Sequence, residues 1–326
     1  MTTFVSKAFD GACDDFYSEG RYEGCTFDGV TIDDRFDECV FVDCQFTDCY
    51  FDAASIDLSF SVLTDCTIES NLFETCRFTD ITFVRAEFES VTVTDIEACT
   101  FVDCDLSDLS LDLLRDCTLQ DCELGTFSHV EANGCIFNNC TADLLRFDSL
   151  DDCEIIHCEW PGLLSVSSTR KSTFVDSNLT NARFRGGSIN DVSFTRCDLA
   201  ISEFAPEILD LVSILNCNTQ KCSFSEGTFS DLRIETESND EFLNPLFNSK
   251  EMIFSRASLN SFRFIDIDMQ LSTFSACELE DGLCLDSNLS GTGLTTCLGR
   301  LDLEDCGTIG LWTDDATVEE LALTGW

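Results

Sequence analysis

The sequence predicts an all-β solenoid, a chain coiled about one shared interior with one side of the coil for every five residues. From Cys66 the chain reads CTIES, NLFET, CRFTD, ITFVR, AEFES, VTVTD, and this beat returns along most of its 326 residues. Within each five the third residue is large and apolar (Ile68, Phe73, Phe78, Phe83, Phe88, Val93). The first is small or compact (Cys66, Asn71, Cys76, Ile81, Ala86, Val91), and the rest are mostly polar. A period of five fits neither an amphipathic helix nor the plain two-residue alternation of a strand. Two apolar residues spaced by two face one side of a short extended segment, and a turn must rotate the chain before the next pair arrives.

These fives resemble the pentapeptide-repeat family, whose rule is a small residue, any residue, a large central Leu or Phe, then two more. The resemblance spans residues 25 to 309. It implies a right-handed quadrilateral parallel β-helix with four pentapeptides, hence about twenty residues, in each coil. One stretch departs from that rule. The pairs Cys99 and Cys104, Cys117 and Cys122, Cys135 and Cys140, and Cys153 and Cys158 advance by eighteen. Each turn there reads 5+5+5+3, the short step beginning at Ile96, Leu114, Ala132 and Leu150, which predicts a trimmed corner.

The ends and interruptions complete the expected organisation. In a solenoid each coil touches only its neighbours, so length does not divide a core, and one continuous repeat domain is expected. Residues 1–24 are read as an N-terminal cap and 310–326 as a C-terminal segment, since terminal coils need covering. Pro161, Pro206 and Pro245 mark breaks near 160–171, 205–211 and 235–251, because proline cannot donate to a ladder. Near the C-terminus, Thr313 is placed to cap a short helix starting at Asp314, with Val318, Leu321 and Ala322 as its apolar stripe and Trp312 and Trp326 at its ends.

Composition narrows the function class. The first 24 residues lack the basic start and apolar run of a signal peptide, and no segment has the ~20 apolar residues of a membrane span, so a cytoplasmic protein is expected. Most of the 22 cysteines, among them Cys39, Cys44, Cys49, Cys66, Cys76, Cys197, Cys217, Cys222 and Cys277, occupy the inward first position. There a thiol serves as a compact hydrophobe in a reducing compartment. Their C-x4-C spacing is wider than zinc ligands favour, so no metal is expected. The only histidines, His129 and His157, belong to no nucleophile or metal motif, and no glycine-rich phosphate loop is present. Neither an enzyme nor a cofactor is expected.

The charge points to a protein partner. Sixty-two acidic and 18 basic residues give a formal −44, spread along the repeat rather than held in a tail. Asp43, Asp48, Asp65, Asp80, Asp103, Asp108 and Asp121 recur at the fifth position, which stacking would align into anionic stripes. About 13 coils at ~4.8 Å would extend roughly 60 Å, a length over which duplex DNA carries about 36 charges. The fluoroquinolone-resistance members of the family look like B-form DNA, bind DNA gyrase or topoisomerase IV, and dimerise through a C-terminal helix. The resemblance therefore implies an acidic DNA mimic that binds a type II topoisomerase and protects it from poisons. It also implies dimer or cap roles for Trp312, Val318, Leu321 and Trp326; the charge itself implies a surface that avoids nucleic acid, and no membrane partner is expected. The alternative is an interaction scaffold or secreted effector acting through the 235–251 break, where Phe242, Leu243, Leu246 and Phe247 are apolar. The general acidity of a halophile is a further source of the charge.

Overall fold

Residues 2–10, 19–32, 39–47, 50–51, 62–64, 66–69, 72–162, 164–236, 249–314 and 321–324 are described by a computed structural model. They form two compact units, Met1–Phe147 and Asp148–Trp326. Each is a parallel β-solenoid of short strands, and none of the described residues is helical. Contacts in a solenoid are local along the chain, so this division separates runs of coils and not different folds, and the single repeat domain expected above reads as two units of one architecture.

In both units the central residues of successive coils pair in register. In the first unit one such column runs Phe41, Leu63, Phe83, Phe101, Leu119, Phe137. In the second unit another runs Phe184, Phe204, Phe224, Phe254, Phe274, Leu294. Like residues stacked in register place their rings face to face. Phe184 and Phe204 lie 4.9 Å apart at 5°, and Phe254 and Phe274 lie 4.5 Å apart at 5°. Columns meeting across the interior do so edge-on, as Phe184 and Phe194 do at 82°. Rings thus use both favourable aromatic geometries, one along the axis and one across it. Ile68, Phe78, Phe83, Phe88 and Val93 are all buried, as the five-residue pattern predicts.

The first position has a second job besides filling space. Cys104 Sγ donates to the Phe83 carbonyl of the preceding coil and to the Val102 carbonyl beside it. Cys122 repeats this with Phe101 and Gln120. Serine takes the same place in the second unit, where Ser172 Oγ bonds the Leu150 and Arg170 carbonyls. Where the first position is Cys or Ser, the side chain is small and adds one donor, and the two satisfy that role alike. The cysteines whose side chains are described are thiols, and all are buried except the half-buried Cys306.

The eighteen-residue coils are trimmed where expected. Val91–Glu97 and Leu109–Arg115 run as single seven-residue strands through that corner, with Ile96 and Leu114 buried. Removing two residues deletes the turn, so the strand continues instead of bending.

Several boundary expectations are corrected. Thr3–Val5 and Ala8–Asp10, placed in the N-terminal cap, are regular repeat strands: Phe4 stacks on Tyr22 and Phe9 on Phe27, each pair at 4.9 Å. The break at 205–211 does not exist. Pro206 sits inside the continuous strand Glu203–Leu215, opposite Gly186, where its missing N–H leaves the column from Phe204 to Leu209 intact. The 160–171 stretch is likewise wound into the coil, with Trp160, Leu164, Val166 and Thr169 buried. At 235–251 the register does step by thirty, from Ile234 to Phe264, but Phe242, Leu243, Leu246 and Phe247 lie outside the described residues. The C-terminal helix is replaced at its end by a strand, Leu321–Thr324, which pairs with Gly299–Asp302. A parallel edge left open by the last coil is better satisfied by another strand than by a helix laid across it.

Two expectations follow. Phe83 lies 4.9 Å from Phe101 at 9°, so Phe83→Ala should cost about 3–5 kcal/mol in denaturant unfolding and Phe83→Asp more, since it adds an unpaired buried charge. Burial pushes the Cys222 thiol from 9.0 up to about 12. A raised folded value means stability that is complete below the unfolded value and is lost as pH climbs between the two. Under reductant the melting temperature should therefore fall as pH rises above about 9. Cys222→Ser, which keeps a donor for the Leu199 carbonyl, should flatten that fall.

Candidate binding surface

The fifth position turns many of the corners with a left-handed residue. Asp43, Asp80, Asp103, Asp116 and Asp121 have φ between 51° and 56°, a region that L-residues avoid and Asp and Asn tolerate best. Part of the acidic pattern therefore has a local conformational cause. The side chains nevertheless face solvent at Asp43, Asp103 and Asp121, with Asp80 half-buried. Asp108 is exposed in a turn without that backbone geometry. Asp48 and Asp65 lie outside the described residues.

In the first unit a denser acidic surface is built by positions two and four. The face carrying Phe88, Leu106 and Leu124 sets Glu87 in register with Asp105 and Asp105 with Glu123, all exposed. Glu89 and Asp108 flank that ladder on the same face, and Asp103 and Asp121 stand on its adjoining corner. Like charges directly opposite on neighbouring strands destabilise a sheet; Asp105 has a local role, since its Oδ1 accepts the Ser107 N–H at 2.9 Å, whereas Glu87 and Glu123 lie in strands with no turn to serve. Three coils at ~4.8 Å span about 14 Å, over which duplex DNA carries about eight charges. The seven carboxylates just named approach that density, with Arg85 on the same corner. Asn139 Nδ2 donates to Asp121 at 2.6 Å and Gln120 Nε2 at 3.0 Å, holding its carboxyl below the usual range and so charged.

Asp103, Asp108 and Asp121, named from sequence, thus come together on one surface. Asp43 shares their corner in an earlier coil, while Asp80 turns the opposite edge of the face that carries Phe83. Glu87, Glu89, Asp105 and Glu123 were missed. The eighteen-residue period held the signal, since it places Glu87, Asp105 and Glu123 in one column.

The second unit distributes charge differently. Arg196 pairs with Asp176 at 2.6 Å, Lys250 with Asp268 at 3.1 Å, Lys221 with Glu251 at 3.4 Å, and Arg185 with Glu203. Its Asx residues are structural: Asn178, Asp198 and Asn218 each accept the backbone N–H two residues on, and Asn218 Nδ2 donates to Asp198 at 2.9 Å. His157 is exposed, 3.6 Å from Asp176, and His129 is exposed at a left-handed corner. Trp312 lies across Gly293, where a Cβ would meet its ring at 2.4 Å. Asp314 accepts the Thr296 N–H at 2.9 Å, and residues 315–320 of the expected helix lie outside the described residues. Leu321 is a strand residue, and Val318 and Trp326 lie outside the described residues.

No protein-family model matches the sequence, and no curated protein matches it. Among solved structures the chain is similar to HetL, a pentapeptide-repeat protein involved in heterocyst differentiation regulation from the cyanobacterium Nostoc sp. strain PCC 7120. The identity is 11%, with 68% of this chain and 84% of that one covered, at a TM-score of 0.22. It is similar to QnrB1, a plasmid-mediated fluoroquinolone resistance protein, at 12% identity over 97% and 93% of the chains, TM-score 0.15. The catalytic unit of a GH87 α-1,3-glucanase from Streptomyces thermodiastaticus strain HF3-3 aligns at 10% identity over 99% and 62%, TM-score 0.29. At these scores none of the three bears on function.

Three corner residues of the second unit break the polar rule. Ile201, Leu211 and Leu271 are more than half exposed with φ of 64°, 54° and 62°. Ile201→Asn should therefore raise stability by about 1 kcal/mol, read as a higher melting temperature, because a β-branched residue is the least suited to that backbone.

Proposed function

We propose that this chain, a pentapeptide-repeat β-solenoid by its own five-residue rhythm and strand register, is a non-enzymatic acidic protein. On this reading it occupies the DNA-binding surface of a protein partner, a type II topoisomerase such as DNA gyrase or topoisomerase IV. The carrying observation is the Glu87, Asp105, Glu123 column with its flanking carboxylates. It is a like-charge ladder that costs the fold stability, and its two glutamates serve no turn. A fixed array at near-DNA charge density attracts a basic saddle and steers encounter with it, with steep salt dependence. Rigidity supports the reading, since carboxylates on paired strands need little ordering when bound. A reducing, cytoplasmic setting suits the buried thiols. A C-terminal dimer contact through Trp312 is compatible with this use.

Catalysis is not part of the proposal.

The test is gyrase supercoiling with and without a quinolone, together with gyrase binding at low salt in competition with duplex DNA. The chain should compete with DNA and alter poisoning. Glu87→Gln, Glu89→Gln and Glu123→Gln combined should weaken binding at least about tenfold and lower its salt dependence, while leaving the melting temperature equal or higher. No binding at low salt, and neither inhibition nor protection, would defeat the reading.

A further inference from the structure

The same coils of the first unit carry a face of opposite character. Six strands pair in register on it: Val40–Val42, Val62–Thr64, Thr82–Val84, Thr100–Val102, Thr118–Gln120 and Ile136–Asn138. Their middle residues are buried, and the first and last of each point outward, half-buried except for the exposed Gln120. None of these outward residues is charged, in a chain of formal charge −44, and over the first four strands all are Val or Thr. Strand propensity does not explain this. The adjoining face is built of strands too, in the same coils, and carries Glu87, Asp105 and Glu123.

Both edges of the strip are acidic. Asp43, Asp103 and Asp121 stand exposed on one corner, broken by Arg85, and on the other Asp116 is exposed and Asp80 half-buried. A flat apolar strip between two anionic rims selects its occupant by charge. A second copy of this chain, an anionic lipid surface or a nucleic acid would bring like charge to like. The dimensions suit a helix. Six strands at ~4.8 Å span about 24 Å, the length of roughly 16 helical residues, and the two outward rows are about 7 Å apart, within a helix's diameter of about 10–12 Å.

We propose that this face docks one amphipathic α-helix of a protein partner, its apolar stripe laid along the Val/Thr strip and Lys or Arg on its two flanks against the corner aspartates. The site shares the Asp103 and Asp121 corner with the acidic array but not its Glu87, Asp105, Glu123 column, and it stands whether or not that column binds a topoisomerase. The helix-in-groove mode supplies the precedent in physical terms: apolar anchors at i, i+3, i+4 and i+7 provide area, and rim charges provide register and approach.

The experiment uses the full chain and a labelled sixteen-residue helical peptide with a Leu stripe and Lys flanks, followed by fluorescence anisotropy. Two control peptides replace the Leu stripe with Ser or the Lys flanks with Glu. Saturable binding by the Leu/Lys peptide, at least tenfold tighter than by either control, is expected. Val84→Asn with Val102→Asn should weaken it about tenfold at any salt. Asp103→Asn with Asp116→Asn should weaken it chiefly at low salt, and Glu87→Gln with Glu123→Gln should leave it nearly unchanged. A benzophenone in the peptide, used with the unsubstituted chain, should crosslink to the strip strands Thr82–Val84 and Thr100–Val102, so the result does not depend on the folding of any variant. Equal binding by the Ser-stripe peptide, crosslinks on the acidic ladder, or indifference to the valine substitutions overturns the proposal. So does concentration-dependent dimerisation of the chain alone that is abolished by Val84→Asn and Val102→Asn, which would make the strip a self-interface.

Discussion

Parallel, in-register stacking of like on like is the constraint on which the molecule depends. Each coil presents its central side chain to the same side chain one strand away, at about the spacing of adjacent strands. Phenylalanine satisfies this well because planar rings stack at that separation, as the 4.5–5.0 Å pairs along Phe184 to Phe274 show. Once the centres are fixed, the first position must fit the interior, where Cys and Ser add a donor to a neighbouring carbonyl, and the fifth must often accept a left-handed backbone. Cysteine, serine and aspartate follow from these requirements and not from redox, hydroxyl or acid chemistry.

That view separates two kinds of acidity. Aspartate at the corners is partly a backbone choice, since Asn139, Asn181 and Gly134 occupy equivalent left-handed positions without charge. Glutamate at positions two and four has no such excuse. Glu87, Glu89 and Glu123 lie on strand faces where threonine and valine are the better formers, and they face like charge in register. The repeat so insulates structure from surface that adjoining faces of the same coils take opposite characters, one anionic and one nearly uncharged. A solenoid can hold separate binding surfaces side by side because outward positions contribute little to the core.

Much of this was legible in the sequence. The inward pattern identified Ile68, Phe78, Phe83 and Phe88, and the eighteen-residue spacing located the trimmed corner at Ile96 and Leu114. Failures came where local signals were read without the stack. Pro206 looked like a break, yet a strand whose neighbours supply its other bonds accepts a missing donor opposite Gly186. Asp314 to Ala322 carried a helical pattern, but the open edge of the final coil draws Leu321–Thr324 into strand pairing. Attention to the fifth position alone also passed over Asp105 and its partners.

By itself the sequence determined the period, the inward residues and the total charge, because each is a property of spacing and composition that survives any arrangement of the coils. Only the tertiary structure decided which outward residues share a face. Coils of eighteen, twenty and thirty residues shift the register differently. Whether Glu87 meets Asp105, or Val84 meets Val102, depends on how many residues the intervening corners consume, and that is settled by turn geometry and strand pairing.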